Sequence, residues 1–153
     1  MDAERRLNEL GIELPPIARP VASYVPVVIS GSLAFVAGQV PLSDGRPTIV
    51  GKVGSEVSLE DGIDGARRCA LQALSALRAE LGSLDRVRRI VRVGVFVASA
   101  DGFTDQPKVA NGASDVLAEI FGDEGRHARA AVGVAELPLG VPVEVEVLAE
   151  VEG

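Results

Sequence analysis

The chain has 153 residues, 47% hydrophobic and 24% charged, the balance of one ordinary globular domain able to bury roughly 70% of its unfolded surface without staples or metals. Its formal charge of -7, from 22 Asp and Glu against 15 Lys and Arg, argues against a nucleic-acid module, because phosphate binding needs a basic face. The lone cysteine, Cys69, and the lone histidine, His127, exclude a disulfide framework and a His-rich metal site. No apolar run approaches the ~20 residues of a membrane span, and the charged N-terminus lacks the apolar stretch of a secretory signal. The expectation is a soluble cytoplasmic protein with one main domain.

In chain order, Ala3 to Leu10 reads as a short helix with Leu7 and Leu10 one turn apart and Gly11 as its stop. Leu14 to Pro20 holds three prolines in seven residues; proline fixes φ and lacks an amide donor, so this arm should run extended. Residues 1–22 thus form a helix and proline-rich arm ahead of a domain at 23–153. Tyr24–Ile29 and Leu33–Gln39 read as a hairpin turning at Ser30-Gly31-Ser32, with Pro26 marking an edge strand, and a weaker strand is expected at Thr48–Val53.

The clearest helix spans Leu59 to Leu81. Leu59, Ile63, Ala66, Ala70, Leu74, Leu77 and Leu81 recur at steps of three and four, Ser58 suits the N-cap, and Gly82 suits the C-terminal stop. Val87–Val97 follows as a strand, and Gln106–Phe121 as a second amphipathic helix ended by Gly122. Arg129–Glu136 and Val143–Val151 are strands joined by Leu137–Pro142, a length that fits a hairpin loop. The last strand alternates valines and Ala149 with glutamates and Leu148, one face to the core and one acidic. This order predicts an α+β fold in which two helices cover one face of a mixed sheet. Small residues on the strands (Ala131, Gly133, Ala135) suit close contact between sheets, hence an oligomer.

For chemistry, the usual signatures are missing: no phosphate loop, no GxGxxG and no GxSxG. Cys69 lies on the apolar helix stripe and reads as core filler. His127, without a second histidine or cysteine at ligand spacing, reads as a loop residue before a strand ahead of an acid–base group. Arg129 stands out, because a long cation among Ala128, Ala130 and Ala131 has room around it, and guanidinium grips carboxylates bidentately. From spacing alone, a surface ion pair for Arg129, a solvated Glu144 and a packing role for Tyr24 remain the simpler readings.

The segments Arg126-His-Ala-Arg-Ala-Ala-Val-Gly-Val-Ala-Glu-Leu-Pro138 and Val141-Pro-Val-Glu-Val-Glu146 resemble the signature of the RidA/YjgF family, also called L-PSP endoribonucleases. Tyr24-Val25 and Phe35-Val-Ala-Gly-Gln-Val-Pro41 resemble its N-terminal motif, and Asn111-Gly-Ala-Ser with Gly125-Arg-His-Ala-Arg129 resembles a divergent bacterial subgroup. The resemblance implies a chorismate-mutase-like fold assembled as a homotrimeric barrel, with sites in clefts between subunits and no cofactor or metal. It implies hydrolysis of reactive 2-enamines and 2-imines to 2-keto acids and ammonia, with a small 2-imino or 2-keto acid as the ligand and neither nucleic acid nor membrane as a partner. Arg129 would grip the substrate carboxylate and Glu144 position the attacking water. Tyr24, Ala37, Gly38, Asn111 and Ala131 would line the site, Ala37 and Ala131 standing where the family has a serine and a cysteine. A non-catalytic trimer binding small carboxylates or a protein partner is the alternative, and endoribonuclease action is disfavoured by charge. If the last two strands were hairpin neighbours, Arg129 would lie opposite about position 151 and ~23 Å from Glu144. The two could then meet only across a subunit boundary.

Overall fold

A computed structural model describes residues 2–17 and 23–153. Its elements are α1 (Ala3–Leu10), β1 (Val27–Ser30), β2 (Leu33–Gln39), β3 (Leu42–Ser43), β4 (Arg46–Pro47), α2 (Leu59–Leu81), β5 (Val87–Ala98), α3 (Gln106–Phe121), β6 (Ala128–Val134) and β7 (Val143–Val151). One five-stranded sheet runs in the order β1-β2-β7-β5-β6, and β3 and β4 form a separate ribbon. The sheet is mixed: β5 and β6 are parallel, while β1–β2, β2–β7 and β7–β5 are antiparallel.

The expected helices form where capping and periodicity place them. The Ser58 hydroxyl accepts the Asp61 amide at 3.1 Å, and Gly82 closes α2 with φ 87°, a left-handed conformation that glycine adopts without a Cβ clash. α2 buries Ala66, Ala70, Leu74 and Leu77 against the sheet, and α3 adds Val109, Ala113, Val116 and Leu117. The two helices cross closely at Gly112, where a Cβ would collide with the Ile63 carbonyl. α1 joins the body: Ala3 and Leu7 are buried, Glu4 pairs with Arg78 at 2.7 Å and accepts the Leu84 amide at 2.7 Å. The arm follows α2 as far as Pro15, whose carbonyl takes the Ser75 hydroxyl at 2.6 Å. The rest of the expected arm, residues 18–22, lies outside the described residues.

Two sequence expectations are corrected. Thr48–Val53 forms no strand; only Val53 makes isolated bridges, to Val57 and Ser99. The local pairing goes instead to β3 and β4, because Asp44 and Gly45 both adopt positive φ (52° and 75°), the geometry of a tight Asp-Gly hairpin turn. The last two strands are not a hairpin either, since β5 lies between them. The β5–α3–β6 crossover seats β6 beside β5 in parallel, as such units do. Period-two alternation reports which face a residue occupies and says nothing about its neighbouring strand.

β7 is the central strand. Val143, Val145, Val147, Ala149 and Val151 point into the core beneath the helices, and Glu144, Glu146, Leu148 and Glu150 point to the other face. That open face also presents Val28, Phe35 and Val132, each 45–52% exposed.

Candidate active site

The register places Arg129 beside Val93, which pairs with Val147. All three share the helix-covered side of the sheet, because residues opposite one another in a ladder share a face. At this edge α3 presents Asn111 and Ser114 one turn apart, a spacing that puts both on one helix surface. Arg129 Nη1 donates to Asn111 Oδ1 at 2.8 Å and to Ser114 Oγ at 3.1 Å. These two bonds use both Nη1 hydrogens. The Nε–Nη2 edge has no protein partner among the described residues and is the planar fork suited to an incoming carboxylate. Ala131 lies two residues along the same strand face, partly buried against the core.

His127 extends the cluster. Its Nε2 lies 2.8 Å from Ser114 Oγ and its Nδ1 2.7 Å from the Gly125 carbonyl. A carbonyl can only accept, so Nδ1 carries the proton and Nε2 receives the Ser114 hydroxyl. The donors therefore run one way: Arg129 to Ser114, Ser114 to His127, His127 to Gly125. Burial pushes the His127 pKa below the usual imidazole value; the Gly125 carbonyl opposes that shift and the Arg129 charge adds to it. Ser114, Arg126, His127 and Arg129 line an open cavity of about 310 Å³, enough for an acid of a few carbons.

Glu144 lies elsewhere. It pairs with Phe96, which pairs with Val132, so its side chain leaves the sheet on the open face. Three residues and two strands separate it from Arg129, about 14 Å between Cα atoms, with the sheet between their side chains. This replaces the ~23 Å that a hairpin would impose. The Glu144 carboxylate occupies the space that a Cβ on Gly38 would fill, so glycine at 38 is what admits it. Burial and then the nearby Glu146 charge push the Glu144 pKa up.

Ala37 precedes this contact, its amide held by the Pro26 carbonyl at 2.8 Å. Tyr24 is 53% exposed just ahead of β1. β1 and β6 are opposite edges of the sheet, about 19 Å apart at ~4.8 Å per strand. The chain thus unites Arg129, Asn111 and Ala131 in one cluster and Glu144 with Gly38 in another, with Tyr24 apart from the first. Sequence reasoning passed over Ser114 and ranked His127 as a loop residue. The signal was available: Asn111 and Ser114 are spaced i, i+3 on a helix, and His127 and Arg129 i, i+2 at a strand.

The family described as "YjgF/chorismate_mutase-like, putative endoribonuclease" matches residues 4–151. The chain belongs to this family. The similarity reaches beyond bacteria: protein TCP17 of Trypanosoma cruzi is 50% identical over 145 residues, 94% of this chain and 91% of that protein. A 2-iminobutanoate/2-iminopropanoate deaminase of Dermatophagoides farinae is 28% identical over 143 residues, 92% of this chain and 95% of that one. Among solved structures, the protein Atu1372 of Agrobacterium tumefaciens, whose function is unknown, superposes with a TM-score of 0.90 at 42% identity, covering 98% of this chain and 92% of that one. The fold is accordingly the chorismate-mutase-like α+β fold. No helix among the described residues is long and apolar enough to cross a membrane.

Proposed function

We propose that the protein is a cytoplasmic homotrimeric deaminase that hydrolyses small 2-enamines and 2-imines, of the 2-aminoacrylate or 2-iminopropionate type, to 2-keto acids and ammonia. The observation that carries this reading is the Arg129 cluster. Asn111 and Ser114 saturate Nη1 and orient the guanidinium, so its free fork meets a carboxylate already aimed. An imine carbon is electrophilic without help, so a held carboxylate and an oriented water are enough. The similarity to a protein named as an imine deaminase supports the same chemistry.

In this reading Arg129 binds the carboxylate, with Asn111 and Ala131 beside it, and needs no metal or organic cofactor. Glu144, admitted by Gly38 next to Ala37, orients water, and Tyr24 closes the cleft. Because Glu144 and Arg129 leave opposite faces of one sheet, the complete site takes Arg129 from one subunit and Glu144 and Tyr24 from another. The open face, with its half-exposed apolar residues Val28, Phe35 and Val132, is the surface that the trimer covers.

A second reading, a trimer that binds small carboxylates without turnover, draws on Ala37 and Ala131, which bring neither hydroxyl nor thiol to the site. Hydrolysis separates the two. An amino-acid oxidase generates the imine, semicarbazide traps what survives, and keto acid released ahead of trapping is measured. The deaminase reading expects faster release with the wild type and none above buffer with Arg129→Ala. Release at the buffer rate across several imino acids leaves the binding reading.

A further inference from the structure

We infer that Ser114 and His127 form a proton relay for the substrate that Arg129 holds, with the Ser114 hydroxyl at the attacking water and His127 as the base behind it. The inference rests on the deaminase reading. Within the protomer that supplies Arg129, the Glu144 carboxylate is on the other side of the sheet, and Ser114–His127 is the acid–base pair on the arginine's own side. Ser114 Oγ accepts from Arg129 with one lone pair and donates its proton to Nε2, which leaves its second lone pair free at the cavity that Ser114 lines. The carbonyl of Gly125 fixes the tautomer that a base requires. A nucleophile's proton acceptor within hydrogen-bond reach, itself oriented by a third group, is the arrangement expected of general-base catalysis.

The step balances with water as the only co-reactant. Water adds through oxygen to the carbon of the protonated imine, and the C=N π pair moves to nitrogen. The water proton passes to Ser114 Oγ as the serine proton passes to His127 Nε2. The imidazolium then returns one proton through Ser114 to the amine nitrogen, the C–N bond breaks, and the hydroxyl proton leaves with ammonia as ammonium. The products are the keto acid and neutral His127. The charged groups around the imidazole are Arg129 on β6, Asp115 on α3 and Arg126 in the preceding turn. Burial, the larger cause, disfavours its protonation, and the Arg129 charge acts in the same direction.

The test measures imine hydrolysis from pH 5 to 8 for wild type, His127→Gln, Ser114→Ala, Ser114→Thr and Glu144→Gln, and the affinity of each for 2-oxobutyrate by calorimetry. The expected result is a kcat about 100-fold lower in His127→Gln and Ser114→Ala, with 2-oxobutyrate affinity changed less than about threefold in His127→Gln. Ser114→Thr, which keeps the hydroxyl, retains most of the rate. The wild type should lose kcat as pH falls through the imidazole range, and His127→Gln should lack that limb while Glu144→Gln keeps it. An unchanged kcat in His127→Gln, or an acid limb that disappears in Glu144→Gln instead, overturns the relay and leaves the deaminase standing. A wild type that does not accelerate hydrolysis refutes the deaminase and the relay with it.

Discussion

Replacing Arg129 by lysine isolates the geometry of the guanidinium from its charge. In the structure Nη1 spends both hydrogens on Asn111 and Ser114, at 2.8 and 3.1 Å, and the Nε–Nη2 edge stays free. A lysine keeps the charge on one nitrogen, which cannot hold both helix partners and also offer a two-pronged fork. One charge-assisted hydrogen bond to the ligand is then lost, about 1.5–3 kcal/mol, or roughly 10- to 150-fold in affinity. Calorimetric titration with 2-oxobutyrate should therefore show Arg129→Lys weakened by that factor, and Arg129→Ala weakened further. Arg129 is exposed at a sheet edge, so thermal stability should change little in either variant. An Arg129→Lys protein that binds within about threefold of wild type would refute the bidentate reading, because charge alone would then suffice.

Three further outcomes follow from the packing and the electrostatics. Gly112→Ala should lower stability by about 2 kcal/mol in urea titration, because the new Cβ meets the Ile63 carbonyl where α2 and α3 cross and backbone cannot swing aside. Gly38→Ala should displace the Glu144 carboxylate, a flexible tip, at a stability cost of about 1 kcal/mol, while deaminase rate drops to that of Glu144→Gln. Glu144 has a folded pKa raised above its usual value by burial and by Glu146, so its contribution to stability is present at acid pH and lost as pH rises through the folded value. Glu144→Gln should accordingly be the more stable protein at pH 7 in thermal melts, with the difference closing below about pH 4.

The parts of the fold that were legible are those where one residue pattern has one structural solution. The apolar steps from Leu59 to Leu81 and the strict alternation from Val143 to Val151 fix a helix and a one-sided strand, and both form over those residues. Strand neighbours were not legible, because the long connection from β6 to β7 could close a hairpin or pass over the end of β5 with the same residues. The Asp44-Gly45 pair suits a turn, but the strands it joins are only two residues each, too short for any periodicity. At the site, Arg129 showed itself as a cation among alanines. Its relation to Glu144 could not be read, since it depends on which strand lies between them. His127 looked isolated because its partner Ser114 is thirteen residues earlier, on α3.

The central claim, a site composed of Arg129 from one subunit and Glu144 from another, is tested most directly by mixing. Arg129→Ala and Glu144→Gln proteins, each far less active than wild type alone, are combined in equal amounts by co-refolding, and imine hydrolysis is measured on the mixture. In a random mixed trimer about a quarter of the interfaces hold both native residues, so the account predicts recovery of about a quarter of wild-type activity. A mixture no more active than its parents, although exchange of subunits is verified by mass, would contradict it.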